Sequence, residues 1–200
     1  MTPLQRNTGA VDSMLTVHGL FLLFSIGALA VLPSGCSTPR FEDIRTGIDA
    51  RGHYIVNVPF VPQRDSDCGP AALAGVFAYW KHPIEVSQIA SKIYLPKLGG
   101  TLPMDMERYA EETGFMTSSP TGSIDALRSA LRNDRPVICL LDLGFGPYRQ
   151  PHYVTVIGFD DGNLLFIMHD GDQANRTTSY HDFEKAWARA GHWMLVATPK

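Results

Sequence analysis

The sequence lacks the features that mark nucleic-acid-binding, metal-binding and repeat proteins. Its formal net charge is −3 over 200 residues and it has no basic cluster, so we expect no nucleic-acid partner. No spacing of Cys and His residues resembles a zinc site, and we predict neither a metal nor another cofactor. Internal repeats and long low-complexity runs are also missing. With 44% hydrophobic residues, the chain can build a core, and its length predicts one domain after any leader.

Long apolar runs are equally scarce, and the one that stands out covers residues 20–32. Its length is typical of the apolar region of a signal peptide and short for a membrane span. It ends in Leu-Pro-Ser-Gly-Cys36, which resembles the lipobox of bacterial lipoproteins, where Cys36 would be lipidated and become the mature N-terminus. The rival interpretation is an uncleaved membrane anchor over residues 15–32, and translation could start at Met1 or Met14.

Both interpretations predict an exported protein held at the membrane of the bacterial cell envelope, on its periplasmic or extracytoplasmic face. We therefore expect a signal peptide over residues 1–36 and a polar tether over residues 37–52. Residues 53–200 would form the folded domain.

Cysteine is rare, and its odd count of three leaves at least one thiol free or modified. With Cys36 lipidated, Cys68 and Cys139 remain. Cys139 lies in an apolar run over residues 136–142 that predicts a buried strand and an inert thiol. A disulfide between Cys68 and Cys139 stays open in an oxidising compartment, although it would inactivate a nucleophilic Cys68.

Residues 63–73 predict an extended segment that turns into a helix at Cys68. One helical face is predicted by the spacing of Leu73, Val76, Phe77 and Trp80. Pro70 is tolerated in a first helical turn, and Asp67 is the expected N-cap.

Cys68 would therefore lie where the helix dipole and unpaired N–H groups stabilise a thiolate, the form of cysteine that attacks. The alternative is a small buried residue. Gln63, five positions upstream, carries an amide that could donate to an oxyanion.

Helices are predicted first along the chain and strands later, which is typical of an α+β domain with a helical half on a largely antiparallel sheet. A bent strand is expected over residues 53–62. Helices are expected at 69–80, 86–94, from 101 or 102 to 114, from 123 to about 131, and after Asp182. Further strands are expected at 137–143, 152–159, 163–170 and 192–198.

A cysteine nucleophile needs a base, and the base needs an orienting partner. His152 opens one predicted strand and Asp170 closes the next. A three-residue loop over 160–162 would pair Phe159 with Asn163 and set His152 opposite Asp170 on the same face. A two-residue loop would send Asp170 to the other face. Asp172 is the alternative acid.

With Gln63, Cys68, His152 and Asp170 in this order, the sequence resembles the bacteriocin-processing cysteine peptidases. These papain-like enzymes also form the N-terminal domains of exporters that cleave double-glycine leaders. The resemblance rests on Asp-Cys-Gly-Pro-Ala-Ala around Cys68, on His-Tyr-Val-Thr-Val-Ile-Gly from His152, and on Asp170. It implies a papain-like fold, Cys68 as nucleophile, His152 as base, Asp170 as its orienting acid and Gln63 as oxyanion donor.

The sequence departs from the family pattern in two places. Exporter-fused members commonly place the glutamine six residues before the cysteine, whereas the spacing here is five, as in stand-alone members. Many members follow the aspartate with proline, where this chain has Gly171.

The resemblance implies a cysteine peptidase that acts on a peptide or protein substrate in the envelope or during export. Cleavage after a double glycine is implied by the resemblance alone. Two alternatives stay open: a peptidoglycan-directed papain-like hydrolase, and a non-catalytic peptide-binding module of the envelope. The oligomeric state is left open by the sequence.

Overall fold

A computed structural model describes residues 38–63 and 67–200. The predicted signal peptide and the predicted lipidation site at Cys36 lie outside these residues. The helices are α1 (Phe41–Ile44), a 3-10 turn (Arg45–Gly47), α2 (Ile48–Arg51), α3 (Cys68–Tyr79), α4 (Val86–Ile93), α5 (Pro103–Glu112), α6 (Ile124–Arg132) and α7 (Tyr180–Arg189). The strands are β1 (Gly52–Tyr54), β2 (Tyr94–Leu95), β3 (Gly100–Thr101), β4 (Phe115–Ser118), β5 (Val137–Asp142), β6 (Pro151–Asp160), β7 (Leu165–Asp170), β8 (Gln173–Ser179) and β9 (Met194–Pro199).

An antiparallel sheet of seven strands forms the centre of the described part of the chain. Its order is β4-β9-β5-β6-β7-β8, and β1 pairs with the far end of β6. A separate small sheet joins β2 and β3. This arrangement confirms the predicted α+β class with an antiparallel sheet.

Helices cover both faces of the sheet, which explains why its central strands are buried almost throughout. In β5, Val137 and Cys139 pack with α6 and α7 on one face, whereas Ile138 packs with α3 on the other. A strand buried on both faces shows no apolar and polar alternation in sequence, so the cover on both faces was not evident before the structure.

Helix α3 runs through the middle of one layer and is buried from Gly69 to Phe77. Small residues allow this close packing: a Cβ added to Gly75 would lie 3.0 Å from the Pro59 carbonyl oxygen. Pro70 is the third helical residue, as predicted. Asp67 is the N-cap residue and its carbonyl accepts from the Ala71 N–H at 2.8 Å, but its side chain makes no capping hydrogen bond among the described residues.

The segment before β1 corrects the predicted tether over residues 37–52. Its short helices bury Ile44 and Ile48 in the core beside α6 and α7, and the Thr177 hydroxyl donates to the Pro39 carbonyl at 2.6 Å. The compact unit therefore includes the described residues from 38 onwards and does not begin at 53. The prediction missed these helices because most residues around Ile44 and Ile48 are polar, although the two isoleucines are spaced one helical turn apart.

Other predictions differ in extent. The strand expected over 53–62 is β1 only from Gly52 to Tyr54. A turn follows at residues 56–57, where Asn57 has a φ of +61°, and Ile55 and Val58 are buried on either side of it. Strands β2, β3, β4 and β8 were not predicted. Within the described ranges, the longest apolar helices fall short of what a bilayer crossing requires.

Candidate active site

Cys68 is the first residue of α3 and is partly accessible. Burial alone would raise the pKa of its thiol. That effect is outweighed by a hydrogen bond to His152, backbone hydrogen bonds from Tyr153 and Gly69, and the charge of His152, so the pKa of Cys68 is lowered. These contacts favour a thiolate.

His152 lies near the start of β6 and joins the thiol to an acid. Its Nε2 lies 2.6 Å from Oδ1 of Asp170, which leaves Nδ1 for Cys68. Burial would lower the pKa of His152, but hydrogen bonds to Asp170 and Cys68 raise it to about 9. The pKa of Asp170 is lowered despite its burial, because it bonds His152 and Arg176. An imidazolium between a thiolate and a carboxylate is the state these contacts favour.

The contact between His152 and Asp170 arises by a different register from the predicted one. Asp160 pairs with Leu165, so the loop holds four residues, and β6 bulges at Ile157. Beyond the bulge Thr155 pairs with His169, and continuing that register sets Asp170 beside Val154. His152 is two residues from Val154, so it is a diagonal neighbour of Asp170 on the same face.

The bulge is necessary for this result. Without it, the register near the loop would continue and place Asp170 opposite Thr155, on the face away from His152. Because the bulge accommodates one extra residue in β6, Asp170 lies beside Val154 instead and on the same face as His152. Asp172, the alternative acid, is exposed, and the acid that bonds His152 is Asp170.

Tyr153 presents its backbone to the site where β6 extends beyond its paired part of β7. Its N–H bonds the Cys68 sulfur, and its carbonyl accepts from Nε2 of Gln63 at 3.2 Å. Gln63 also binds Gly171 twice: its N–H donates to the Gly171 carbonyl at 2.9 Å, and its Oε1 accepts from the Gly171 N–H at 3.3 Å. Gln63 is thus held between Tyr153 and Gly171, with one amide hydrogen already used.

Gly171 explains its own departure from the family pattern. Its φ of +61° is in the left-handed region, and proline, whose φ is near −65°, could not adopt it. Proline would also lack the N–H that reaches Gln63. Gln63 and Gly171, the two positions at which the sequence departs from the family pattern, are therefore in contact with each other.

A cleft of about 410 Å³ opens at Cys68. One wall is the segment from Leu98 to Leu102, and the other runs from Gln150 to Tyr153. Exposed apolar side chains line it: Leu98 is 64% exposed and Leu102 is 38% exposed. The cleft is large enough to admit an extended peptide beside the thiol.

The loop before β6 is fixed by Asp142, which sequence reasoning missed. Its buried carboxylate accepts from the N–H groups of Gly144 and Gln150 at 3.0 Å and from Arg149 at 2.7 Å. These hydrogen bonds hold the pKa of Asp142 well below its usual range. The signal available in the sequence was an aspartate that directly follows an apolar run.

The second described cysteine is separate from this site. Cys139 is fully buried in β5 and burial raises the pKa of its thiol strongly. Both Cys68 and Cys139 are free, so the disulfide left open by the sequence is not formed. In the described ranges, no cluster of His, Cys, Asp and Glu could hold a metal ion.

Comparisons with known proteins agree on the class of fold. The chain is 18% identical to a protein described as a C39-like peptidase from Bacillus anthracis, with a TM-score of 0.60, covering 74% of this chain and 98% of that one. It is 26% identical to the peptidase domain of Streptococcus ComA, a bi-functional ABC transporter of a quorum-sensing pathway, with a TM-score of 0.58 over 72% and 100% of the two chains. A double-glycine motif protease from an AMS/PCAT transporter, solved with its leader peptide, gives 18% identity and a TM-score of 0.58 over 74% and 99%.

The fold is thus that of the papain-like C39 cysteine peptidases. Residues 55–194 match the model of the Peptidase_C39-like family, and the chain belongs to that family. No curated protein matches the sequence. The resemblance inferred from the motifs is confirmed at the level of family and fold.

Proposed function

We propose that the protein is a cysteine peptidase that uses Cys68, His152 and Asp170 as its catalytic triad. The observation that carries the proposal is the chain of contacts from the Cys68 thiol to His152 and on to Asp170 at 2.6 Å, opening into a cleft. A thiolate at a helix N-terminus beside an imidazolium is the arrangement that nucleophilic cysteine catalysis requires.

The reaction follows from these groups. The Cys68 thiolate attacks the peptide carbonyl carbon, and the carbonyl electron pair moves to oxygen. The Cys68 N–H and the Gln63 amide donate to this oxyanion. The C–N bond then breaks as the His152 imidazolium gives its proton to the leaving amine, and a thioester remains.

Water completes the cycle. Neutral His152 takes a proton from water while the resulting hydroxide attacks the thioester carbon. The C–S bond breaks, the carboxylic acid leaves, and the thiolate and imidazolium are restored. Asp170 keeps Nε2 of His152 engaged, so the other nitrogen stays directed at the sulfur and the substrate.

The substrate is proposed to be a peptide or protein with apolar side chains near the scissile bond, because exposed apolar residues border the cleft. Cleavage after a double glycine is proposed from the family, since one structural neighbour is a double-glycine motif protease. A panel of peptides with and without the double glycine tests this, and peptidoglycan fragments in the same panel test the alternative hydrolase.

Selective alkylation tests whether Cys68 is activated at all. At pH 6, iodoacetamide should label Cys68 briskly and leave Cys139 unlabelled, as detected by mass spectrometry of proteolytic peptides. Protein unfolded before labelling, in which both thiols react equally, is the control. Slow labelling of Cys68 in the folded protein would favour a non-catalytic peptide-binding module.

Loss of the thiol tests turnover. The C68A variant should lose peptide cleavage while keeping the wild-type melting temperature. Full activity in a folded C68A protein would refute the nucleophile. Removal of an oxyanion donor, as in Q63A, should lower kcat by about 10²–10³-fold.

We also propose that the protein is exported and lipidated at Cys36. The support is the apolar run followed by Leu-Pro-Ser-Gly-Cys36 in the sequence. Mass spectrometry of the mature N-terminus distinguishes a lipidated Cys36 from an uncleaved anchor.

A further inference from the structure

The carboxylate of Asp170 has two partners, one on each oxygen. Oδ1 faces Nε2 of His152 at 2.6 Å, and Oδ2 faces Nη1 of Arg176 at 2.6 Å. The side chain of Asp170 is 6% exposed, whereas that of Arg176 is 51% exposed. A buried carboxylate is therefore clamped between the base and a half-exposed cation.

Arg176 reaches this position from β8, at the edge of the sheet. It pairs across the strands with Met168, and the register shifts between Met168 and Asp170. No hydrophobic alternation announced this strand, so the residue could not be singled out from the sequence.

We infer that Arg176 is a positioning residue of the triad: its guanidinium shares the Asp170 carboxylate with His152 and limits how strongly that carboxylate holds the His152 proton. This inference deepens the proposed function and rests on it. Because guanidinium stays charged at all working pH values, its effect does not titrate.

The charges around Asp170 support this role. His152 faces it from β6 and Arg176 from β8, while its neighbour His169 turns away to the Val58 carbonyl at 3.0 Å. Arg40 and Glu42, at the N-terminal segment, line with Arg176 a cavity of about 600 Å³. One carboxylate charge is thus shared between two cations, and each cation weakens the hold on the other.

Removing the Arg176 charge should consequently strengthen the bond between Asp170 and the imidazolium. The pKa of His152 would rise further, and the upper inflection in the pH profile of Cys68 alkylation would move to higher pH. A purely structural role predicts the opposite, because a loosened Asp170 would hold the imidazolium less firmly and the inflection would fall.

The experiment compares alkylation of Cys68 by iodoacetamide from pH 4 to about 10.5, beyond the His152 pKa of about 9, in wild type, R176Q, R176K and R51Q. R51Q is a matched control, since Arg51 is 46% exposed and pairs with the buried Asp160 at the far end of β6. We expect R176Q to move the upper inflection upward by roughly 0.5 pH unit or more, while R176K and R51Q keep the wild-type value. R176A, which leaves no polar group behind, should shift it in the same direction.

An unchanged or lowered inflection in both R176Q and R176A, with wild-type melting temperatures, would overturn the inference. If R176Q does not fold, R176A decides. The measurement needs no substrate, so it separates two failures. If the wild-type alkylation profile shows the upper inflection but the protein cleaves no peptide, the proposed peptidase function is refuted and the role of Arg176 can still be tested. If the wild-type profile shows no upper inflection, both proposals are refuted.

Discussion

Replacing Asp170 by asparagine removes a negative charge from beside His152 and changes the side chain little in size. The pKa of His152 is raised from 6.5 to about 9, against the effect of burial, by hydrogen bonds and charges of Asp170 and Cys68. At about 1.4 kcal/mol per pKa unit, this rise corresponds to about 3 kcal/mol. Asp170 contributes the larger hydrogen-bond effect and the larger charge effect of the two partners, so its loss should lower the pKa of His152.

In D170N the pKa of His152 should therefore fall from about 9 by roughly one unit or more. The upper inflection in the pH profile of Cys68 alkylation reports this change directly. D161N is the control, because Asp161 bonds Arg128 and Tyr180 away from the site. An inflection that stays near the wild-type value in folded D170N would refute the view that Asp170 holds the imidazolium.

Alkylation is a better readout than stability for this pair. The folded pKa of His152 lies above its unfolded value, so its stabilisation is complete below pH 6.5 and is lost as the pH rises towards 9. The folded pKa of Cys68 is lowered, so its stabilisation is present above its unfolded value of 9 and is lost as the pH falls. Over the same range the two effects oppose each other in the free energy of unfolding.

Two further predictions concern the scaffold. Ile48→Ala should lower the free energy of unfolding, measured in urea, by about 2–5 kcal/mol, because the side chain is buried in the core. The control Thr46→Ala, at an exposed position, should change it by less than about 0.5 kcal/mol. Equally small effects of both variants would mean that this segment is a tether after all. Gly171→Ala should lower the free energy of unfolding by about 1–2 kcal/mol, because alanine must then adopt a φ of +61°. Gly100→Ala should be tolerated, since an added Cβ meets no atom within 4 Å. Comparable stabilities of the two variants would contradict this account.

The helices were largely predictable because their signals are local. The helix expected from residue 123 begins there, and the Ser123 hydroxyl accepts from the Ala126 N–H at 3.1 Å as an N-cap. The buried residues of α5 are Met106, Tyr109 and Ala110, which have the spacing of one helical face. Position within a helix depends on neighbours a few residues away, and the sequence displays those neighbours directly.

Strand pairing was less predictable because it depends on distant residues. The sequence placed His152 and Asp170 at adjoining strand ends, and the structure brings them together, but through a bulge that no local pattern announces. Strand β8 is polar and lies at the sheet edge, so it showed no apolar alternation, and Arg176 was missed with it. Gln63 was predicted as an oxyanion donor, whereas its bonds to Tyr153 and Gly171 depend on the tertiary fold.

The positions of His152 and Asp170 make the residue count of β6 a constraint on chemistry as well as on packing. Deleting Ile157 would only remove the bulge, because Val156 would still pair with Met168 and Asp170 would stay beside Val154. Inserting one residue between His152 and Val154, in contrast, would turn the imidazole to the reverse side of the sheet from the acid. Insertions or deletions in the connecting loop at 161–164 carry no such penalty as long as the pairing of Asp160 with Leu165 is kept. A protein engineer could therefore change the length of that loop, while the stretch of β6 from His152 to Val154 must keep its residue count.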